Sequence, residues 1–284
     1  MIRTSRQLKD LIRNLSKESG IESEVLLRKY MMERFLERLS KSNYVEHFIL
    51  KGGMLVSAFV GVESRATMDM DATIKGISMS ITGMSKIILE IFDIPLDDNV
   101  VFKMKKVTEI MDESEYSGIR FSVDAFLDRA VIPLKIDIST GDLITPKEMK
   151  YEYKLMFEDR NILILAYPIE TVLAEKLETV VSRSITNTRM RDFYDIHRLL
   201  ESQRVDCEIL KVALKRTASK RGSLKLMKNA ETVLRALESD EKMAELWERY
   251  RNKYHYAKEY PWKVVMCSVR CLSLKAGLYS EWPG

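Results

Sequence analysis

Apolar residues along the first forty positions recur at steps of three and four. Leu8, Leu11, Ile12 and Leu15 form one set, and Leu27, Tyr30, Met31, Arg34 and Phe35 form another. That period predicts two helices, each burying one face. The pattern then shortens. Residues 45–50 read as a strand that ends at Gly52-Gly53, and residues 54–60 as a short apolar helix stopped by Gly61. Residues 68–74 alternate strictly, with Met68, Met70, Ala72 and Ile74 on one side and Asp69, Asp71 and Thr73 on the other. Residues 80–92 read as a helix. Residues 103–110, 119–127 and 132–139 read as further strands. In the last of these, Ile132, Leu134, Ile136 and Ile138 share a face, which leaves Lys135 and Asp137 on the other.

Beyond about residue 142 the strand pattern stops. A helix starts at Pro168-Ile169 and carries Val172, Leu173, Leu177 and Val180. Another follows Asn187 through Phe193, Ile196, Leu199 and Leu200. Helical patterns continue to the end, interrupted at Gly222, Ser239-Asp240 and Pro261. The fold class expected is α+β. Residues 1–142 would hold a small mixed β-sheet with flanking helices, and residues 143–284 a mainly helical C-terminal domain.

The 284 residues are 46% hydrophobic and 31% charged, enough apolar content for a full core. No apolar run reaches membrane-spanning length, so no membrane partner is expected. The first residues, Met1 to Arg6, lack the apolar core of a signal peptide. Cys207, Cys267 and Cys271 make no zinc spacing with His47, His197 and His255, and His197 falls on the polar side of its helix. Free thiols suit a reducing, cytoplasmic setting. The net charge of +4 is small, but residues 211–228 contain seven basic residues and no acidic one. Within that run Lys215, Arg216, Lys220 and Arg221 are candidate RNA contacts. The competing reading is a solvated helix surface.

The alternation at 68–74 carries the chemistry. Asp69 and Asp71 project from one face of a strand, about 7 Å apart at their Cα atoms. Such a pair is common on the wet face of a sheet. With Asp137 on a third strand, however, three carboxylates face one way and repel one another unless a cation neutralises them. Mg²⁺ binds through oxygen ligands and bridges to substrate phosphates, and two such ions can serve a phosphoryl or nucleotidyl transfer. Asp69, Asp71 and Asp137 are therefore candidate metal ligands. Glycines between a strand and a helix let backbone amides approach a phosphate, which makes Gly52 and Gly53 candidates for nucleotide binding.

These residues resemble a known family. Lys51-Gly52-Gly53-Met54-Leu55 followed by Arg65-Ala66-Thr67-Met68-Asp69-Met70-Asp71 is similar to the first motif of the DNA-polymerase-β-like nucleotidyltransferases. More narrowly, it resembles the AbiEii/AbiGii-type toxins of type IV toxin–antitoxin and abortive-infection systems. Lys135-Ile136-Asp137-Ile138 resembles the second motif, Ala174-Glu175-Lys176-Leu177 the third, and Arg191-Asp192-Phe193-Tyr194-Asp195 the fourth. The resemblance implies transfer of a nucleoside monophosphate from a nucleoside triphosphate with Mg²⁺ or Mn²⁺, to an RNA acceptor such as the tRNA 3′ end. It also implies a cognate antitoxin that need not touch the toxin. Asp69, Asp71, Asp137 and Lys176 would be catalytic. Many nucleotidyltransferases have Ser where this chain has Gly53. Phosphate holding would then fall to backbone amides, Lys51 or Ser57, with Arg65 and Thr67 in support.

Helical geometry leaves the later motifs open. Lys176 falls at the edge of its helix's apolar arc, where it could reach a triphosphate or extend outward with its stem buried. Asp192 falls inside the next apolar arc and Asp195 at its edge. An unpaired carboxylate is costly there, so each needs a partner among Lys176, Arg183 and Arg189. The two form either a buried ion pair joining two helices or a nucleotide-site group that orients Lys176 or contacts substrate. Tyr250, Tyr254, Tyr256, Tyr260 and Trp262 could stack on bases or pack as core. Two other functions fit the same residues: transfer to a small molecule or protein hydroxyl, and a non-catalytic nucleotide-binding module.

Overall fold

The computed structural model of the chain describes residues 2–65, 67–111 and 117–278. They form two compact units. The first comprises Met1–Asp142 with Glu148–Tyr167, and the second Leu143–Lys147 with Pro168–Gly284.

The first unit opens with α1 (Ser5–Ser19). The Thr4 hydroxyl accepts from the Gln7 amide at its start, and Gly20 ends it in the left-handed conformation at φ 69°. Then come α2 (Ser23–Ser40), β1 (Phe48–Lys51), α3 (Gly52–Val60), β2 (Met70–Ile74) and α4 (Ile81–Phe92). The Ser80 side chain caps α4 by accepting from the Gly83 amide. Three long strands follow, β3 (Val101–Met111), β4 (Ser117–Leu127) and β5 (Ala130–Thr140), and then β6 (Met149–Lys154) and β7 (Asn161–Ala166).

Seven strands make one sheet in the order β3-β4-β5-β2-β1-β7-β6. β2 runs parallel to β5, and β1 parallel to β7. The other neighbours are antiparallel, so the sheet is mixed. The α+β class expected from the alternating pattern is the class observed. The reading that strands stop near residue 142 is corrected, because β6 and β7 return to the sheet after it. β6 is an edge strand in which Lys150, Glu152 and Lys154 alternate with tyrosines. Such charges blunt an edge and hide the apolar signal. β7, Asn-Ile-Leu-Ile-Leu-Ala, is a short apolar run that periodicity alone cannot separate from a helix.

Much of the first unit's core is built around α2. Met31, Met32, Phe35 and Leu36 on this helix are fully buried, as expected for an apolar stripe. Lys29, Glu33, Arg34, Glu37 and Arg38 are buried too, so the helix is enclosed on its charged side as well. Each charge has a partner. Arg34 pairs with Glu37 at 2.9 Å and Glu158 at 3.1 Å. Arg160 closes on Glu37 with two bonds of 2.8 and 2.9 Å. Arg38 grips Asp98 with two bonds of 2.8 and 2.9 Å and also donates to the Val100 carbonyl. Buried pairs of this kind add little net stability when complete but are costly to break.

The second unit is helical apart from short connections: α5 (Ile169–Arg183), α6 (Met190–Ser202), α7 (Cys207–Lys220), α8 (Leu224–Lys228), α9 (Ala230–Ser239), α10 (Glu241–Lys253) and α11 (Trp262–Lys275). The tyrosine-rich segment packs as core. Tyr194 lies 4.9 Å from Tyr256 between ring centroids, Trp247 stacks on Tyr250 at 5.4 Å, and Phe193 meets Trp262 at 5.1 Å. His197 is buried, against the reading that placed it on a polar face. It bonds Ser268 at 2.8 Å and meets the Tyr260 ring edge-on. α11 packs along α6, which converts that face into an interior one. No helix among the described residues is long and apolar enough to cross a membrane.

The Asp98→Ala variant removes the partner of a guanidinium that is 3% exposed. It should lose about 3–5 kcal/mol of unfolding free energy, read from urea denaturation monitored by tryptophan fluorescence.

Candidate active site

The pairing of four strands sets the site. Lys51 on β1 stands opposite Asp71 on β2, Asp71 beside Asp137 on β5, and Asp137 opposite Arg120 on β4. One row across the sheet therefore reads cation, carboxylate, carboxylate, cation. Asp69 precedes β2, whose first residue is Met70, and the Thr67 hydroxyl donates to its carbonyl at 3.2 Å. The alternation in the sequence thus does bring Asp69, Asp71 and Asp137 near one another. Ala66 of the first motif lies outside the described residues.

Two like charges in adjacent register cost energy, and at Asp71 this adds to a larger cost of burial. Burial raises this carboxyl above its usual range. Lys51 and a hydrogen bond from the Gly53 amide pull it down, but Asp137 and Asp69 push it further up. The outer cations are already engaged. Lys51 pairs with Asp142 at 2.6 Å, and Asp142 also accepts from Ser139 at 2.9 Å and Tyr167 at 2.8 Å. Burial alone would raise Asp142, yet these three partners hold it well below the carboxylate range. Arg120 takes both oxygens of Asp137, at 2.8 and 2.6 Å. The sequence reading missed Arg120 and Asp142. Arg120 was open to discovery, since it alternates with Ser122 and Asp124 along β4. Asp142 follows the strand in a loop and left no periodic trace.

The Gly52-Gly53 turn has a separate reason for each glycine. Gly52 has φ +68°, and a Cβ there would lie 2.1 Å from Asp71 Oδ2. The Asp71 carboxylate occupies the space a side chain would need. A Cβ on Gly53 would lie 2.6 Å from Thr67 Oγ1 and 3.2 Å from both terminal nitrogens of Arg65. A hydroxyl and a guanidinium thus already stand where a serine at 53 would project. Both Arg65 and Thr67 are buried. Ser57, offered as a phosphate holder, is corrected. It is fully buried on α3 and accepts a hydrogen bond from Lys29 of α2 at 2.6 Å. Burial lowers the Lys29 ammonium to about 8, with Glu33 opposing and Arg65 adding to the shift. Lys51, the other candidate phosphate holder, has its ammonium on Asp142.

In the second unit Lys176 on α5 donates to Asp192 at 2.9 Å and to Asp195 at 2.7 Å, both on α6. Arg189 pairs with Asp192 at 2.8 Å. These contacts join the two helices, and they are also the contacts by which the two aspartates would orient Lys176. The basic run is less open than its sequence suggests. Arg221 is bound to Glu178 and Thr179, Arg216 donates to Thr145, and Lys211 pairs with Glu208. Lys215 is exposed.

Asp69 and Asp71 supply the hard oxygen donors a divalent cation needs. Burial, with Asp137 and Asp69 nearby, raises the Asp71 carboxyl, and Lys51 opposes that shift. At Asp137 the fit requires release from Arg120, and among the described residues no three acidic, histidine or cysteine groups stand together as a metal site.

A family model described as nucleotidyl transferase AbiEii toxin, type IV TA system, matches residues 34–265. The chain belongs to this AbiEii toxin family. It is accordingly a nucleotidyltransferase, with a nucleoside triphosphate as substrate and an antitoxin implied by the system. The matched span contains all four motifs of this AbiEii-family chain. It is also similar to the solved structure of JHP933 from Helicobacter pylori, with 15% identity over 90% of this chain and 95% of that one, at a TM-score of 0.49. A second solved structure, an antigenic nucleotidyltransferase-like protein from Paracoccidioides brasiliensis, is 14% identical over 78% of this chain and 92% of that one, at a TM-score of 0.39. Among curated proteins none matches.

Because the folded-state pKa of Asp71 lies above its unfolded value, the folded chain keeps this proton where the unfolded chain has lost it. Stability contributed by Asp71 therefore falls as pH rises through that range. In metal-free buffer at pH 8, Asp71→Asn should be more stable than the parent by on the order of 1 kcal/mol. The gain should shrink toward pH 4. Urea titrations of both proteins at the two pH values check this.

Proposed function

We propose that the chain is a Mg²⁺-dependent toxin that transfers a nucleoside monophosphate from a nucleoside triphosphate to the 3′ end of an RNA, with tRNA as the acceptor. The carrying observation is the register of β2 against β5, which sets Asp71 beside Asp137 with Asp69 close enough to raise the same carboxyl. An excess of carboxylate at the edge of a helix N-terminus suits a substrate that brings both phosphates and their counter-cations. In this reading Asp69 and Asp71 hold Mg²⁺, joined by Asp137 when Arg120 releases it. Bound there, Mg²⁺ would neutralise the phosphates and the developing charge of the leaving pyrophosphate.

The other roles belong to the chain. The first turn of α3 presents the positive end of the helix, and Gly52 keeps that turn pressed on Asp71. Thr67 and Arg65, crowding Gly53, are placed to donate to phosphate oxygens where other nucleotidyltransferases use a serine. Asp137, once off Arg120, would complete the metal site and help activate the attacking 3′ hydroxyl. Arg120, once off Asp137, is within reach of the same face to meet the acceptor. Lys176 was read as a catalytic group from the resemblance. With its ammonium divided between Asp192 and Asp195, its role in this proposal is to hold α5 to α6.

The test is an incubation of the protein with total tRNA, Mg²⁺ and each of the four α-labelled nucleoside triphosphates in turn. Label should appear at the RNA 3′ end with at least one nucleotide, vanish with a chelator, and be lost in Asp71→Ala. No label with any of the four nucleotides overturns the proposal. Label on a protein or small molecule instead of RNA would keep the transferase and overturn the acceptor.

A further inference from the structure

The outer face of β3, β4 and β5 carries a feature that the transfer site does not use. Beyond Met104, which pairs with Val123, the ladder resumes at Lys106, which pairs with Ser122, so Lys105 has no partner on β4. This is a β-bulge, which re-aims side chains at the cost of one ladder position. Its effect here is that Lys103, Lys105 and Lys106 are all exposed, where strict alternation would have sent one of Lys105 and Lys106 inward. Across the sheet from the bulge, Lys106 faces Ser122, and Ser122 faces Lys135 on β5. With strands about 4.8 Å apart, the two lysines are roughly 10 Å from each other along this row.

The row borders an open groove of about 590 Å³ lined by Arg28, Asp69, Lys105, Lys106, Asp124 and Lys135 among others. Four cations meet two carboxylates there. Lys105 is paired with Asp124 at 3.3 Å and Arg28 with Glu24. Among the described residues Lys106 and Lys135 have no carboxylate partner. One end of the groove is Asp69 itself, and Lys135 is two residues from Asp137 on the same face of β5. The opposite flank of the carboxylates is taken by Gly52, Gly53, Thr67 and Arg65.

We infer that this groove holds the phosphodiester backbone of the single-stranded RNA acceptor tail and delivers its 3′ hydroxyl to the Asp69 end. The inference rests on the RNA-acceptor reading above and deepens it by locating the acceptor. Charge complementarity selects the occupant: spaced ammonium groups with no acidic partner attract a chain of phosphates. The groove is open to solvent beside Asp69 and lined by lysines from β3 and β5, whereas a triphosphate is served by the α3 flank. The contact is with backbone, so binding is weakly dependent on sequence and strongly dependent on salt.

The experiment measures binding without transfer. Fluorescein-labelled tRNA is titrated against the full chain in chelator without nucleotide, at several salt concentrations, for the parent, Lys106→Glu/Lys135→Glu and Lys215→Glu/Lys225→Glu. All four substituted side chains are exposed, and thermal melts confirm that the variants fold. The sheet-face variant should bind about tenfold or more weakly, with the slope of log K against log salt reduced by about 1.4 for two lost phosphate contacts to a single strand. Its affinity for a non-hydrolysable nucleoside triphosphate, titrated separately with Mg²⁺, should stay at the parent value. Unchanged RNA binding in the sheet-face variant overturns the inference, as does a loss confined to the α7–α8 variant. A loss of nucleotide affinity in place of RNA affinity assigns the lysines to the triphosphate and also overturns it. Because this readout needs no turnover, a failed transfer assay with intact groove-dependent RNA binding would count against the proposed reaction and leave the groove standing.

Discussion

The row Lys51–Asp71–Asp137–Arg120 is the constraint that the rest of the first unit serves. Two carboxylates in adjacent register on parallel strands repel, and the sheet cannot separate them without losing the β2–β5 ladder. The chain meets the repulsion with fixed counter-charges at each end and with the Gly53 amide at Asp71. Those counter-charges are themselves committed, Lys51 to Asp142 and Arg120 to Asp137. Burial is the main reason the Asp71 carboxyl is displaced upward, with Asp137 and Asp69 adding to it and Lys51 and the Gly53 amide opposing.

That arrangement holds only if α3 stays where it is, because its first residue lies against Asp71. α2 provides the support. Lys29 reaches across to Ser57 inside α3, while Glu33 on the same face of α2 accepts from Tyr153 and from the Met156 amide, tying the helix to β6 and the chain that follows it. Glu33 opposes the loss of charge that burial imposes on this lysine, and its ammonium is lowered to about 8 even so. A buried polar layer with every member bonded is costly to form but has one arrangement. It fixes the angle at which the α3 turn meets the carboxylates more narrowly than an apolar contact would, since apolar side chains can slide with little loss.

Much of this was legible from period alone. Alternation in 68–74 and 132–139 located the two strands that matter and put their aspartates on one face, because a half-buried strand sorts its side chains by twos. What period could not show is pairing. That β2 and β5 are neighbours, and parallel, decides whether Asp71 and Asp137 meet at all, and no local pattern encodes it. β6 escaped notice because an edge strand is dressed in charge, and β7 because four consecutive Ile and Leu residues carry no phase. Ser57 and His197 were misjudged for a common reason. A polar residue on an apolar helix face looks like a ligand or a surface group until the element packed against it supplies a partner, Lys29 for one and Ser268 for the other. The Lys105 bulge lies beyond sequence reading for a different reason: three lysines in four residues look like an ordinary wet strand until the ladder shows that one of them is unpaired.

Gly53 shows how the space beside a residue can be claimed by side chains from elsewhere in the chain. Its neighbour Gly52 is glycine because of backbone conformation and because a carboxylate fills the space of its side chain. Gly53 has no such backbone demand. Its missing side chain is required by what comes from elsewhere, since Thr67 Oγ1 would be 2.6 Å from any Cβ and the Arg65 guanidinium 3.2 Å. A serine at 53 would clash with a hydroxyl already present, so the substitution and the buried Arg65-Thr67 pair have to be read as one unit. Restoring serine alone would overpack the turn. Removing Thr67 alone would leave the turn without a side-chain hydroxyl. The Thr67 hydroxyl stands two residues before Asp69, so one short segment carries both that hydroxyl and the first carboxylate.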